Sequence, residues 1–108
     1  MQTVIHIHCS RGKSLREAVA KDKHLQAHML QVAKQLQPGR SPGCLNLHST
    51  VPNRQGAINI QWQAAGAVLQ CRVINRGAGK PNLIVGEFLD YVLAHFRRRV
   101  RVITILPG

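Results

Sequence analysis

The sequence predicts an α+β fold: two helices packed on one mixed, largely antiparallel sheet, as a two-layer sandwich in the order β-α-β-β-β-α-β. Three observations predict it. Apolar residues fall at every second position over 3–9, 44–51, 57–63 and 67–75. They recur at three- and four-residue spacing over 14–37 and 83–96. The connections between the three middle segments are short enough to make an antiparallel meander. The chain has 108 residues, 44 % of them hydrophobic, which suits one core and one domain over 1–108. No repeat, low-complexity tract or linker divides it.

Taken in order, "TVIHIHC" at 3–9 sets Thr3, Ile5, Ile7 and Cys9 on one side and Val4, His6 and His8 on the other, the pattern of a half-buried strand. Over 14–37, Ser14 and Glu17 fit a capping box, and Leu15, Ala18, Val19, Leu25, Met29, Val32, Ala33 and Leu36 form one helical stripe. Asp22 interrupts that stripe and marks a kink or the N-cap of a second helix starting near Lys23. "PGRSPG" at 38–43 ends the helical stretch. Leu45 and Leu47, then Ile58, Ile60 and Trp62, then Leu69, Cys71 and Val73 give three strands a common apolar face. Asn46, His48, Asn59, Gln61, Gln70 and Arg72 line the wet one. Between the last two of these strands Gly66 is free to take positive φ. "RGAGKPN" at 76–82 reads as a loop, and Pro81 and Asn82 open the second helix. Its stripe is Val85, Phe88, Leu89, Val92 and Phe96, with Gly86 available for close packing on the sheet. "RRR" at 97–99 places cations at the helix C-terminus, and "VRVITIL" at 100–106 is apolar enough to be a largely covered strand.

The charge is lopsided. Fifteen Lys and Arg face 4 Asp and Glu, a formal +11, spread over both halves of the chain. Such a domain attracts polyanions, and nucleic acid, RNA or DNA, is the expected partner. The residues expected to meet phosphate are Arg11, Lys13, Ser14, Arg16, Arg76, Lys80, Arg97, Arg98, Arg99 and Arg101. The N-terminus lacks a secretory pattern, and no segment approaches a membrane span, so a cytoplasmic location with free thiols at Cys9, Cys44 and Cys71 and no membrane partner is expected. Neither a cofactor nor a metal is expected. His24 and His28 are i, i+4 but no third ligand is evident, and the four carboxylates do not pair at metal-nuclease spacing.

"HIHCSRGKSLREAV" at 6–19 concentrates the chemical alternatives. Gly12-Lys13-Ser14 resembles the end of a Walker A motif, but the leading glycine would stand where Ile7 is. His8-Cys9 with a downstream arginine resembles the HC-x5-R signature of cysteine phosphatases, which would make Cys9 a nucleophile of lowered pKa. Here Arg16 is one residue too far. His8-Cys9-Ser10 and His48-Ser49-Thr50 resemble the H-x-S/T pairs of two-histidine phosphoesterases, which implies a metal-independent phosphoesterase or RNase using His8 and His48. His8, Leu15 and Arg16 match part of the HG-x-G-x-G-x-LR stretch of Smr-type nucleases. The order of elements over 14–96, with "GAGKPN" as its loop, resembles the double-stranded RNA-binding fold, although Lys80 stands where that fold carries a lysine cluster. The simplest reading is a helix N-terminus among Arg11, Lys13 and Arg16 that attracts a nucleic-acid phosphate without chemistry. Few aromatics are available for stacking on bases. A third possibility is a homo-oligomeric interaction domain, a homodimer pairing through an edge strand.

Overall fold

A computed structural model describes residues 2–32, 44–51, 56–75 and 81–107. The chain is α+β. Its elements are β1 (Gln2–Cys9), α1 (Leu15–Ala20), a 3-10 helix (Lys23–His28), β2 (Leu30–Val32), β3 (Cys44–Ser49), β4 (Gly56–Gln63), β5 (Val68–Asn75), α2 (Pro81–His95) and β6 (Val100–Pro107). The strands form one sheet in the order β2-β3-β4-β5-β1-β6. Every pairing among the described residues is antiparallel, so the sheet is not mixed. The first strand lies between the fifth and the last.

Cross-strand partners share a face. One row across the sheet reads Ile103, Ile7, Leu69, Trp62, and the next Ile105, Ile5, Cys71, Ile60, Leu45. Ile5, Ile7, Cys9, Leu47, Ile58, Ile60, Leu69, Cys71 and Val73 on this face are buried together with Leu15, Val19, Leu25, Ile84, Phe88, Tyr91 and Val92 from the helical segments. The opposite face carries Thr104, His6, Gln70 and Gln61 in one row and Leu106, Val4, Arg72, Asn59 and Asn46 in the next.

Of the helical stretch expected over 14–37, the described residues to Val32 form three short elements, and the break falls at Asp22, where the interrupted stripe marked a kink or a second N-cap. Ser14 Oγ accepts the Glu17 N–H and starts α1, which ends at Ala20. Asp22 then caps the 3-10 helix through the His24 N–H (3.0 Å), while its other oxygen accepts the Tyr91 hydroxyl (2.7 Å). A carboxylate held from both sides fixes the break. Met29 takes a left-handed φ of 60°, and Leu30–Val32 pair with β3 as a strand the periodicity did not reveal. Residues 33–43, with the expected 38–43 loop, lie outside the described residues, as do 52–55 and 76–80.

Four smaller expectations also change. The strand expected over 44–51 ends at Ser49. The positive φ in the β4–β5 connection falls on Ala67 (52°), not Gly66. The buried stripe of α2 is Ile84, Phe88, Tyr91 and Val92, with Val85, Leu89 and Phe96 packed at its margin, and a Cβ at Gly86 would meet nothing within 4 Å, so that glycine serves no close packing. Last, β6 is not covered. Among the described residues it is an edge strand paired on one side only, and Val102, Ile105 and Leu106 are 56 %, 44 % and 50 % exposed.

Candidate nucleic-acid interface

The end of β1 and the start of β6 are neighbours, so two cationic stretches far apart in the chain meet. Ser10 N–H donates to the Arg99 carbonyl (2.9 Å). The Arg99 guanidinium donates back, from Nη1 to the Lys13 carbonyl (2.6 Å) and from Nη2 to the Ser10 carbonyl (3.0 Å). It also lies 5.8 Å from the centre of the Trp62 ring, a contact worth about 0.5–1 kcal/mol at such a site. Gly12 permits this closeness, because a Cβ there would come within 3.1 Å of Arg99 Nη2. Arg99 is therefore a clamp on the β1–α1 loop and not a free phosphate contact. The clamp ties the loop that carries Arg11 and Lys13 to the segment that carries Arg97, Arg98 and Arg101, and all five side chains are exposed. An open cavity of about 420 Å³ is lined by Ala94, His95, Phe96, Arg97, Arg98 and Arg99.

Other expected members of the site fare differently. Arg16 is partly buried and lies 3.9 Å from Glu17. The Ser14 hydroxyl is engaged as the cap of α1, and that helix is only six residues long, so anion attraction rests on the cationic side chains and not on a helix terminus. Arg76 and Lys80 lie outside the described residues.

His8 and His48 are not brought together. His8 is on β1 and His48 on β3, three strand spacings apart, about 14 Å across the sheet before any offset along the strands. His48 accepts the Gln31 side-chain amide at 3.1 Å. Cys9 is buried, and burial raises its thiol pKa even though the Arg99 charge and a backbone hydrogen bond at Leu69 pull it down. This reverses the expected activation. Cys71 is buried as well, and its thiol is pushed far up by burial; both thiols are free.

Sequence reasoning missed a histidine cluster. His28 Nδ1 lies 3.1 Å from Asp90 Oδ2 and its Nε2 lies 3.0 Å from His95 Nε2, while His24 stacks on His95 at 4.4 Å and bonds Asp22 at 2.8 Å. His24 and His28 thus find partners in α2 and at Asp22. Among the described residues no group of three or more His, Cys, Asp or Glu is arranged to hold a metal. The spacing of Asp90 and His95 on α2 gave no hint of it, because their partners lie more than sixty residues away.

On the opposite face Asn59 donates to Asn46 (3.0 Å) and Gln63 to Gln70 (2.9 Å). The furrow among Asn59, Gln61, Gln70 and Arg72 holds only about 20 Å³, about one water molecule. No described helix is long and apolar enough to cross a membrane. The chain matches no protein-family model, no curated protein and no solved structure.

Proposed function

We propose that this is a small nucleic-acid-binding protein that grips the phosphates of duplex or structured RNA or DNA with little base specificity. The observation that supports this reading is the Arg99 clamp, which ties the loop that carries Arg11 and Lys13 to the segment that carries Arg97, Arg98 and Arg101. Clustered cations on a rigid backbone neutralise several adjacent phosphates at once, and release of the condensed counterions drives binding. In the same reading the helices form the second layer of a two-layer sandwich, the chain works in a reducing cytoplasm, and phosphates are bound without being cleaved.

The test is anisotropy of labelled RNA and DNA duplexes across a salt series. Contact by four or five of these cations gives a slope of log K against log salt near −4, since each phosphate neutralised contributes about −0.9. Charge reversal at Arg97 and Arg98 lowers the slope by about 2. A flat salt response, or no binding at low salt, overturns the reading.

A further inference from the structure

The free edge of β6 is self-complementary, and its backbone directions follow from two hydrogen bonds. Cys9 N–H points to β5, donating to the Ala67 carbonyl, and Ser10 N–H points to the β6 side, donating to Arg99. Backbone groups of successive strand residues alternate in direction. Val4, His6 and His8 therefore bond β6 through Leu106, Thr104 and Val102. The N–H and C=O groups of Ile103 and Ile105 point away from β1, toward the open edge.

We infer that this edge pairs with β6 of a second copy of the chain, antiparallel about a two-fold axis at Thr104. A continuous sheet requires paired residues to share a face, which limits a two-fold contact to registers shifted by two residues. With Thr104 on the axis, each Ile103 opposes Ile105 of the other copy, and these pairs exchange the unused backbone bonds. Val102 opposes Leu106 on the other face. Every exposed apolar side chain of the strand thus meets an apolar partner.

A shift one way sets Arg101 against Ile105. A shift the other way sets Pro107, which has no N–H, against Ile103. The favoured register also places Arg101 opposite Pro107, at the far end of the partner strand. The two basic ends are then about 20 Å apart, well beyond the Debye length at physiological salt. The contact closes on itself, because among the described residues β6 is the long edge that each copy offers and the other edge strand, β2, has three residues.

The test joins sedimentation to cross-linking. The wild-type chain sediments at twice the chain mass. Ile105→Pro, which deletes an edge N–H, and Val102→Glu, which puts a charge against Leu106, each weaken the dimer by about tenfold or more while keeping the wild-type circular dichroism spectrum. In a Cys44→Ser background, Thr104→Cys forms a disulfide-linked dimer on mild oxidation. Residues facing across a two-fold at a non-hydrogen-bonded position have Cα atoms about 4.5 Å apart, within disulfide reach. Ile103→Cys and Ile105→Cys, which do not face themselves, cross-link at least about tenfold more slowly. A wild-type chain that sediments as a monomer at tens of micromolar overturns the proposal. So does a dimer that cross-links faster at 103 or 105 than at 104.

Discussion

β5 and β6 are the two neighbours of β1, both antiparallel to it and both eight residues long, yet their surroundings differ. In β5, Leu69, Cys71 and Val73 are buried and Arg72 faces out. In β6, Val102 and Leu106 on one face and Ile105 on the other all reach solvent. A strand with one covered face shows strict alternation, and β5 has it. A strand apolar on both faces is usually covered on both, and β6 is apolar on both without the cover. The contrast is between apolar side chains that build the core of the single chain, in β5, and apolar side chains that stay exposed, in β6, where the proposed pairing with a second copy would use them.

Several changes break or sharpen that contrast. The largest effect is expected in the core. Leu69→Ala, at a side chain 1 % exposed, costs about 2–5 kcal/mol by urea denaturation. Leu106→Ala, at the free edge, costs under about 1 kcal/mol when measured at concentrations where the chain is monomeric. Equal losses would erase the distinction between the strands.

Next comes the tie that holds the 3-10 helix to α2 over the covered region. Burial alone would raise the Asp22 pKa, but hydrogen bonds from the His24 N–H, the Tyr91 hydroxyl and the His24 ring hold it below the usual carboxylate value. Tyr91, buried and bonded to that carboxylate, is pushed well above an ordinary phenol. A depressed carboxylate stabilises the fold above its unfolded value, near pH 4, and that contribution disappears as pH falls through the lower folded value. Tyr91→Phe is therefore expected to cost about 1–3 kcal/mol at pH 7. Asp22→Asn should flatten the fall in urea midpoint between pH 5 and pH 2 that the wild-type chain shows; an unchanged acid profile would remove Asp22 from the account.

The smallest effect is a gain. Gly86 is exposed in the interior of α2 and a Cβ there meets nothing, so Gly86→Ala should stabilise by about 0.5–1 kcal/mol in the same denaturation assay. A loss would mean that α2 packs against something at that position.

Much of the fold was legible because alternation is local. The faces of β1, β4 and β5 follow directly from Ile5 and Ile7, Ile58 and Ile60, and Leu69 and Cys71. Over 14–32 the cap at Ser14 and the break at Asp22 were legible, but the Tyr91 hydroxyl that holds Asp22, sixty-nine positions away, was not, and Leu30–Val32 become a strand only because β3 is there to pair. The candidate site was half legible. Composition pointed to Arg11, Lys13, Arg97 and Arg98 separately, but the joining of the two segments that carry them depends on β1 lying beside β6, a pairing no local pattern encodes. Nor could sequence separate Arg99, spent on carbonyls and Trp62, from its neighbours. His8 and His48 looked alike as motifs, and the strand order alone sets them apart.

The most direct test is an amide NMR titration of the chain with a short nucleic-acid duplex at low salt. Shifts concentrated at residues 10–14 and 96–101, and erased by added salt, are predicted. Shifts centred on Asn46, Asn59 and Arg72, or scattered evenly around the molecule, would contradict a phosphate-binding surface built by the Arg99 clamp.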